Sequence, residues 1–236
     1  MLAKLKEEVL QANLELVKLG LVDLTWGNVS GINRKRKLLV IKPSGVDYKK
    51  MKVTDMVVVD LTGKIIEGTK RPSSDTPTHI ELYKSFPEIG GVTHTHSMYA
   101  TIFAQACTEI PCLGTTHSDH FFGSVPVTRF LTKEEVEDDY EGNTGKVIIE
   151  RFKELNPQVT PGVLVAGHAT FCWGKDAMDS VKNSFVLERI AQMALGTLQV
   201  NPSIKKLPEH IMDKHFQRKH GPNAYYGQRN SKTKKI

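Results

Sequence analysis

The chain has 236 residues, of which 39% are hydrophobic and 25% are charged, a composition typical of soluble globular proteins. It contains no apolar run near the length of about 20 residues that a membrane-spanning helix needs. Its three cysteines fit neither a disulfide framework nor a paired zinc-finger spacing, which favours a reducing compartment. We therefore expect a cytoplasmic protein without a membrane segment.

The formal net charge of +6 comes largely from two basic clusters, residues 34–37 and residues 229–236. The first cluster separates two strand-like runs, as a solvated hairpin tip would, and the second lacks apolar periodicity. Neither cluster interleaves aromatic with basic residues as single-strand nucleic-acid binders do, so we expect no nucleic-acid partner. The sequence predicts one domain over residues 1–228 and a basic, disordered tail over residues 229–236.

An amphipathic helix opens the chain, because apolar residues from Leu2 to Leu19 recur at gaps of three and four. Gly20 follows as a C-terminal cap. Two hairpins are predicted next, pairing residues 25–32 with 37–45 and residues 56–60 with 64–67. Gly63 can take the positive φ angle that the second turn needs.

Helices and strands then alternate along the chain. Thr76 and Pro77 open a helix, residues 91–96 form a strand, and residues 98–106 form the helix behind it. The further predicted elements are a strand over 124–128, helices over 132–138 and 146–155, a hairpin over 162–174, and helices over 175–200 and 208–220. The apolar face of the helix over 175–200 is wide enough to pack against a second subunit as well as the sheet.

The strand over 91–96 carries a pair of histidines, His94 and His96, that would project from the same face. Two neutral imidazoles so placed can bind one divalent ion, and the predicted hairpin over 162–174 would return a third, His168, to the sheet. With one coordination position left open, this is the ligand set of a catalytic zinc site. The residues alone equally allow a solvated strand face for the pair and a backbone-bonded histidine for His168.

Three separate segments of small residues suggest a phosphate site. Backbone amides can approach an anion closely at such residues, hydroxyl and amide groups can donate hydrogen bonds, and Lys42 supplies a positive charge. Turn formation accounts for each segment equally well, because Gly, Asn, Ser and Pro populate turns for conformational reasons. The candidate residues are Gly27, Asn28, Lys42, Ser44, Gly45, Ser73 and Ser74.

Four further side chains could transfer protons or support the site. Asp75 could act as an acid or cap the helix that begins beside it, and Asp119 could act as a base or be an ordinary loop acid. His215 and Tyr226 could equally be a helix-surface histidine and an aromatic anchor for the tail. A tyrosine normally titrates near pH 10, so Tyr226 would need a nearby cation to act as a base near neutrality.

Taken together, these motifs resemble the epimerases of the class II aldolase and epimerase family. The resemblance runs from the first helix to residue 228 and is carried by LTWGNVS at 24–30, IKPSGVDY at 41–48, PSSDTPTH at 72–79 and HTHS at 94–97. It implies an α/β fold with a central, mostly antiparallel sheet flanked by helix layers, in a single catalytic domain. It also implies a cyclic homotetramer with active sites at the subunit interfaces.

The resemblance further implies a reaction, the interconversion of L-ribulose 5-phosphate and D-xylulose 5-phosphate. The family's epimerases break and remake the C3–C4 bond by retro-aldol cleavage and re-addition. The sequence leaves open whether arabinose or ascorbate breakdown supplies the substrate. The main alternative is a class II sugar-phosphate aldolase of the fuculose-phosphate type, which carries glutamate where this chain has Asp75; the aspartate favours the epimerase.

Roles for individual residues follow from the same resemblance. His94, His96 and His168 would hold one Zn²⁺ per subunit as a Lewis acid, with Asp75 close to the metal, although another divalent ion could take its place. The residues of the three small-residue segments would bind the substrate phosphate. Asp119 and Tyr226 would form the proton-transfer pair, with Tyr226 supplied by the neighbouring subunit and His215 helping to position it. The residues flanking His168 depart from the family pattern, which leaves its surroundings open.

Overall fold

The central feature of the fold is a seven-stranded sheet in which every neighbouring pair of strands is antiparallel. A computed structural model of the chain describes residues 2–227. The strand order is β4-β3-β2-β1-β5-β7-β6. The strands are β1 (Asn28–Asn33), β2 (Leu38–Ile41), β3 (Val57–Asp60), β4 (Ile65–Glu67), β5 (Gly91–Thr95), β6 (Gly162–Leu164) and β7 (Thr170–Gly174).

Helices cover both faces of this sheet. Helices α1 and α6 pack on one face, and helices α2 and α5 pack against each other over the opposite face. The helices are α1 (Leu2–Lys18), α2 (Thr76–Ser85), α3 (Met98–Gln105), α4 (Thr115–Ser118), α5 (Lys133–Arg151), α6 (Ala177–Val200) and α7 (Glu209–His220). The expected central antiparallel sheet between helix layers is therefore confirmed.

Alternation along the inner strands builds the core on both faces. In β2, Leu38 and Val40 join the cluster under α1 and α6, whereas Leu39 points into the cluster under α2 and α5. The same rule places Val92 of β5 in the cluster under α2 and α5, with Trp173 of the neighbouring β7. His94 is two positions after Val92, so its ring projects from the same face of the sheet.

The first third of the chain folds as its sequence pattern predicts. The amphipathic helix ends at Lys18, and Gly20 follows it with φ +66°. Both predicted hairpins form, β1 with β2 and β3 with β4. Gly63 takes φ +86° in the second turn, a backbone conformation that glycine adopts without steric cost.

One prediction in the middle of the chain is wrong, and another needs a boundary corrected. Residues 124–128 form no regular strand but only isolated bridges, one from Val125 and one from Val127, because Pro126 between them has no N–H to donate. The two helices predicted over 132–138 and 146–155 both form, as the two segments of α5 on either side of Asp139, whose backbone is not helical (φ −153°, ψ 84°); the second segment begins directly after Asp139, earlier than predicted, and ends at Arg151.

Glycine accounts for the early start of the second segment of α5. A Cβ atom on Gly145 would lie 2.7 Å from the Cβ atom of Glu81, so only glycine lets α5 approach α2 this closely. The packing of α5 on α2 therefore outweighs the low helix propensity of Gly142 and Gly145 in this segment.

Two further sequence expectations concern a membrane-spanning segment and the C-terminal tail. Within the described part of the chain, no helix has both the length and the apolar character that crossing a bilayer requires. The predicted disordered tail, residues 229–236, lies outside the described residues.

Candidate active site

Three histidines converge at one end of β5 and β7. His94 lies in β5, His96 follows the end of that strand, and their Nε2 atoms are 3.0 Å apart. His168 lies in the turn between β6 and β7, directly after Gly167 at φ +70°. One ligand atom from each of the three lies within 4.8 Å of the others, so the group can hold a metal ion.

The three imidazoles are suited to metal binding because they are held neutral. Burial lowers the pKa of His94 and of His96, and it lowers the pKa of His168 to about 4. Nδ1 of His94 lies 2.8 Å from the carbonyl oxygen of Thr170, so this nitrogen is the donor and Nε2 keeps its lone pair for a ligand. Nδ1 of His168 is buried and has no hydrogen-bond partner among the described residues. A neutral three-imidazole donor set fits a divalent transition metal such as zinc.

Neighbouring strands and α6 hold β5 from both sides. On the histidine face, the ring of His94 stacks on Phe171 of β7 with centroids 4.3 Å apart and planes inclined by 21°. On the opposite face, the hydroxyl of Thr95 lies 3.2 Å from the hydroxyl of Ser184 on α6. These contacts leave the His94 ring little freedom to turn.

A buried carboxylate fixes the chain just after His96. Glu188 of α6 accepts hydrogen bonds from the backbone N–H groups of Tyr99 and Ala100, each at 3.0 Å. These groups belong to the first turn of α3, where Ser97 occupies the N-cap position without a side-chain cap. Glu188, which belongs to a different helix, therefore caps α3 and anchors the turn that begins two residues after His96.

Asp75 lies beside the histidines and not in a capping role. It occupies the N-cap position of α2, but its side chain makes no hydrogen bond to the helix. Its Oδ2 accepts a hydrogen bond of 2.6 Å from the side-chain amide of Asn28. Burial alone would raise the pKa of Asp75, but the neighbouring imidazoles of His94 and His79 and the bond from Asn28 lower it below its ordinary value. Asp75 is therefore an anionic carboxylate beside the three histidines that can hold a metal ion.

The predicted phosphate residues lie in the same cavity as the histidines. The ammonium group of Lys42 is buried, and burial lowers the pKa of Lys42 to about 8, against an opposing effect of Asp75. A cavity of about 630 Å³ joins the two groups of residues. It is lined by Gly27, Asn28, Lys42, Ser44, Gly45, Ser73, Ser74, Asp75, His94, His96 and His168.

The cavity also has walls that the sequence reasoning missed. Tyr140 and Glu141 line it from α5, directly after the kink at Asp139. Trp26 lines it from the loop before β1 and keeps about half of its surface exposed. Trp26 stands next to Gly27 in a motif already singled out, but nothing local in the sequence points to Tyr140 or Glu141, since both depend on the path of α5.

The three predicted catalytic residues cluster elsewhere on the chain, and none of them lines this cavity. Asp119 accepts two hydrogen bonds from Arg218 of α7, at 3.0 and 2.7 Å, and lies 3.1 Å from Nδ1 of His215. The ring of Tyr226 stands over Arg218 and Lys219, 5.1 and 4.3 Å from their charged groups. We refer to Asp119, His215, Arg218, Lys219 and Tyr226 as the α7 cluster.

Asp119 is held as an anion in the α7 cluster. Burial would raise the pKa of Asp119, but the hydrogen bonds with Arg218 and His215 and the charge of Lys219 lower it. Sequence reasoning missed both Arg218 and Lys219. We expected a neighbouring subunit to supply Tyr226 but not Asp119. Within one chain, however, Tyr226 and Asp119 belong to the same α7 cluster.

Comparison with known proteins decides the family. Residues 7–195 match the family model described as the Class II Aldolase and Adducin N-terminal domain. The chain belongs to this family. Two relatives named L-ribulose-5-phosphate 4-epimerase UlaF, from Salmonella paratyphi B (strain ATCC BAA-1250 / SPB7) and Salmonella typhi, are each 58% identical to this class II aldolase family member over 226 residues, which is 96% of this chain and 99% of theirs.

Solved structures agree with the family assignment. A structure of L-fuculose 1-phosphate aldolase matches with a TM-score of 0.77 and 25% identity, covering 91% of this chain and 95% of that one. L-fuculose 1-phosphate aldolase from Glaciozyma antarctica PI12 matches with a TM-score of 0.74 at 18% identity, covering 92% of this chain and 81% of that one, and this match bears on the fold alone. The resemblance to class II aldolases and epimerases is therefore confirmed.

Proposed function

We propose that this protein interconverts L-ribulose 5-phosphate and D-xylulose 5-phosphate by cleaving and re-forming the C3–C4 bond. The observation that carries the proposal is the single cavity in which the three histidines face a buried lysine and two pairs of small residues. A sugar phosphate needs both halves of this cavity. The half with Lys42 and the small residues suits its phosphate, and the half with the histidines suits its carbonyl end. The epimerase relatives, 58% identical along nearly the whole chain, favour this reaction over others in the family.

The metal we propose is zinc, one ion per subunit, with His94, His96 and His168 as ligands. Three neutral imidazoles, held together at one end of the sheet, are the donor set of many catalytic zinc sites. A bound divalent ion supplies a Lewis acid next to the substrate carbonyl, where negative charge develops as the carbon–carbon bond breaks. The anionic side chain of Asp75 adds a favourable charge at the edge of this site, and its bond to Asn28 ties the metal half of the cavity to the phosphate half.

The phosphate would be held by Lys42 and the surrounding small residues. Lys42 is charged below about pH 8, so its buried ammonium group can pair with a phosphate dianion at neutral pH. The hydroxyl groups of Ser44, Ser73 and Ser74 are placed along the cavity wall, where they can donate to phosphate oxygens. Holding the phosphate at one end lets the aldehyde end turn between cleavage and re-addition, which inverts C4.

The proton-transfer residues we propose are Asp119 and Tyr226, with His215 positioning them. Because Asp119 and Tyr226 belong to one α7 cluster, the copy of the chain that supplies one supplies both. The cluster does not line the cavity of its own chain, so we propose that it faces the cavity of a neighbouring copy in a homotetramer. The exposed apolar side chains of Leu24, Trp26 and Met98 near the cavity support an interface there.

The proposal is tested by incubating the zinc-loaded protein with L-ribulose 5-phosphate. D-xylulose 5-phosphate should form with little free glycolaldehyde phosphate. Accumulation of the aldehyde would instead favour a class II aldolase, and an inert protein would refute both enzymatic functions. His96→Gln should abolish turnover and reduce zinc content, whereas His210→Gln, on an exposed position of α7, is the matched control and should change neither.

A further inference from the structure

Tyr48 is a buried tyrosine that no part of the proposed mechanism uses. It follows the IKPSG stretch after β2, only 3% of its surface is exposed, and burial raises the pKa of its hydroxyl, which stays protonated. That hydroxyl lies 2.8 Å from the carbonyl oxygen of Trp26 and 2.9 Å from the carbonyl oxygen of Gly27. It therefore donates its one proton between two consecutive carbonyl groups of the loop before β1.

The ring of Tyr48 supports the lysine of the phosphate half. Nζ of Lys42 lies 4.8 Å from the ring centroid, within the range of a cation–π contact. Its other contacts are two long ones, 3.4 Å each, to the carbonyl oxygens of Thr25 and Pro43. Within residues 2–227, no carboxylate comes within ion-pair distance of this ammonium group. The ring therefore supports a buried charge that makes no direct ion pair, together with the more distant carboxylate of Asp75.

The loop held by the hydroxyl has no room to shift on its other side. Gly27 takes φ +74°, and a Cβ atom there would lie 2.8 Å from the carbonyl oxygen of His94 and 2.7 Å from Cγ1 of Val22. The loop therefore lies tightly against the strand that carries His94, and the hydroxyl of Tyr48 holds the carbonyl groups of the same loop. Asn28, the next residue, reaches the cavity from this fixed position.

We propose that Tyr48 is a positioning residue for the substrate phosphate. Its ring holds the Lys42 ammonium group, and its hydroxyl holds the peptide groups that precede Asn28. One side chain thereby sets the distance between the two parts of the phosphate site, which come from different strands. This inference rests on the proposed function, because it takes the phosphate to bind at Lys42.

Two variants separate the two roles. Tyr48→Phe removes the hydrogen bonds to the loop and keeps the ring, whereas Tyr48→Leu removes both. Binding of inorganic phosphate to the zinc-loaded protein is measured by calorimetry, and kcat and KM are measured with L-ribulose 5-phosphate. Tyr48→Phe should weaken phosphate binding and raise KM by about five- to tenfold, as expected for one lost hydrogen-bonding group, with kcat within about twofold of wild type. Tyr48→Leu should weaken phosphate binding and raise KM further than Tyr48→Phe does.

The matched control is Tyr83→Phe, because Tyr83 is also buried and its hydroxyl lies 2.9 Å from the hydroxyl of Ser30, away from Lys42. It should lower thermal stability and leave KM unchanged. Phosphate binding and KM at wild-type values in a folded, zinc-containing Tyr48→Phe protein would overturn the proposal, as would a loss confined to kcat. If wild type fails to turn over L-ribulose 5-phosphate but Tyr48→Phe still weakens phosphate binding, the proposed function fails and the role of Tyr48 stands. No phosphate binding by a wild-type protein that turns over L-ribulose 5-phosphate would overturn the role of Tyr48 alone, whereas neither binding nor turnover would overturn both.

Discussion

Replacing Glu188 with glutamine should destabilise the first turn of α3. Glu188 is 7% exposed, and its carboxylate accepts two hydrogen bonds, from the N–H groups of Tyr99 and Ala100. A hydrogen bond to a charged group contributes about 1.5–3 kcal/mol, and a neutral one about 1 kcal/mol. Glutamine keeps one acceptor oxygen and turns an NH₂ group toward the second N–H, so one bond is weakened and the other is lost.

The expected loss is about 3 kcal/mol in the free energy of unfolding. For a chain of this length, each kcal/mol lowers Tm by about 2–4 °C, so Glu188→Gln should melt about 6–12 °C below wild type. Differential scanning calorimetry of the metal-free proteins gives the value directly. Because the anchored turn follows His96 closely along the chain, the variant should also need more zinc to reach half occupancy in a competition with a chelator.

The matched control for this experiment is Glu15→Gln on α1. Glu15 pairs with Lys18 at 3.0 Å on the surface, and exposed pairs contribute less than about 1 kcal/mol. Its Tm should stay within about 2 °C of wild type. If Glu188→Gln melts as close to wild type as the control does, the carboxylate does not anchor α3 and the reasoning fails.

Three further predictions concern the cavity and the α7 cluster. Removing metal with a chelator should abolish turnover and lower Tm, and added zinc should restore both, so turnover by verified metal-free protein would exclude a metal role. Tyr226→Phe should lower kcat by about 10²–10⁴-fold with zinc content unchanged, and wild-type turnover would remove its hydroxyl from proton transfer. The pKa of Lys42 is about 8, so its ammonium form is lost as the pH rises through that value. KM should therefore rise above about pH 8 in wild type but not in Lys42→Arg, which stays charged; equal pH profiles would refute this assignment.

Local patterns in the sequence predicted the elements near the ends of the chain well. The first helix follows from apolar spacing, and the hairpins follow from turn residues between short strand-like runs, since both signals arise within about ten residues. The histidine pair could be placed on one face of a strand for the same reason. Its convergence with His168 could not be derived from spacing, because it depends on β5 and β7 pairing in the sheet.

What the sequence could not reveal depends on long-range packing. The early start of the second segment of α5 depends on the close approach of Gly145 to Glu81 on α2, a contact no local pattern encodes. Tyr140 was missed as a cavity wall for the same reason. Arg218 was missed because its partner Asp119 lies 99 residues away along the chain. The resemblance named the catalytic residues, but only the fold shows that they form a cluster apart from the cavity.

The three histidines also bear on how the chain is held together. His94 and His168 are more than seventy residues apart, and the segment between them contains α3, α4 and α5. A metal ion shared by these ligands would close that segment into a large loop and reduce the conformational entropy of the unfolded chain, as a cross-link does. A protease cut in the loop before α5 would then leave two fragments joined through the ion as well as through the sheet. Unlike a disulfide, this metal cross-link would be lost whenever a chelator removes the ion.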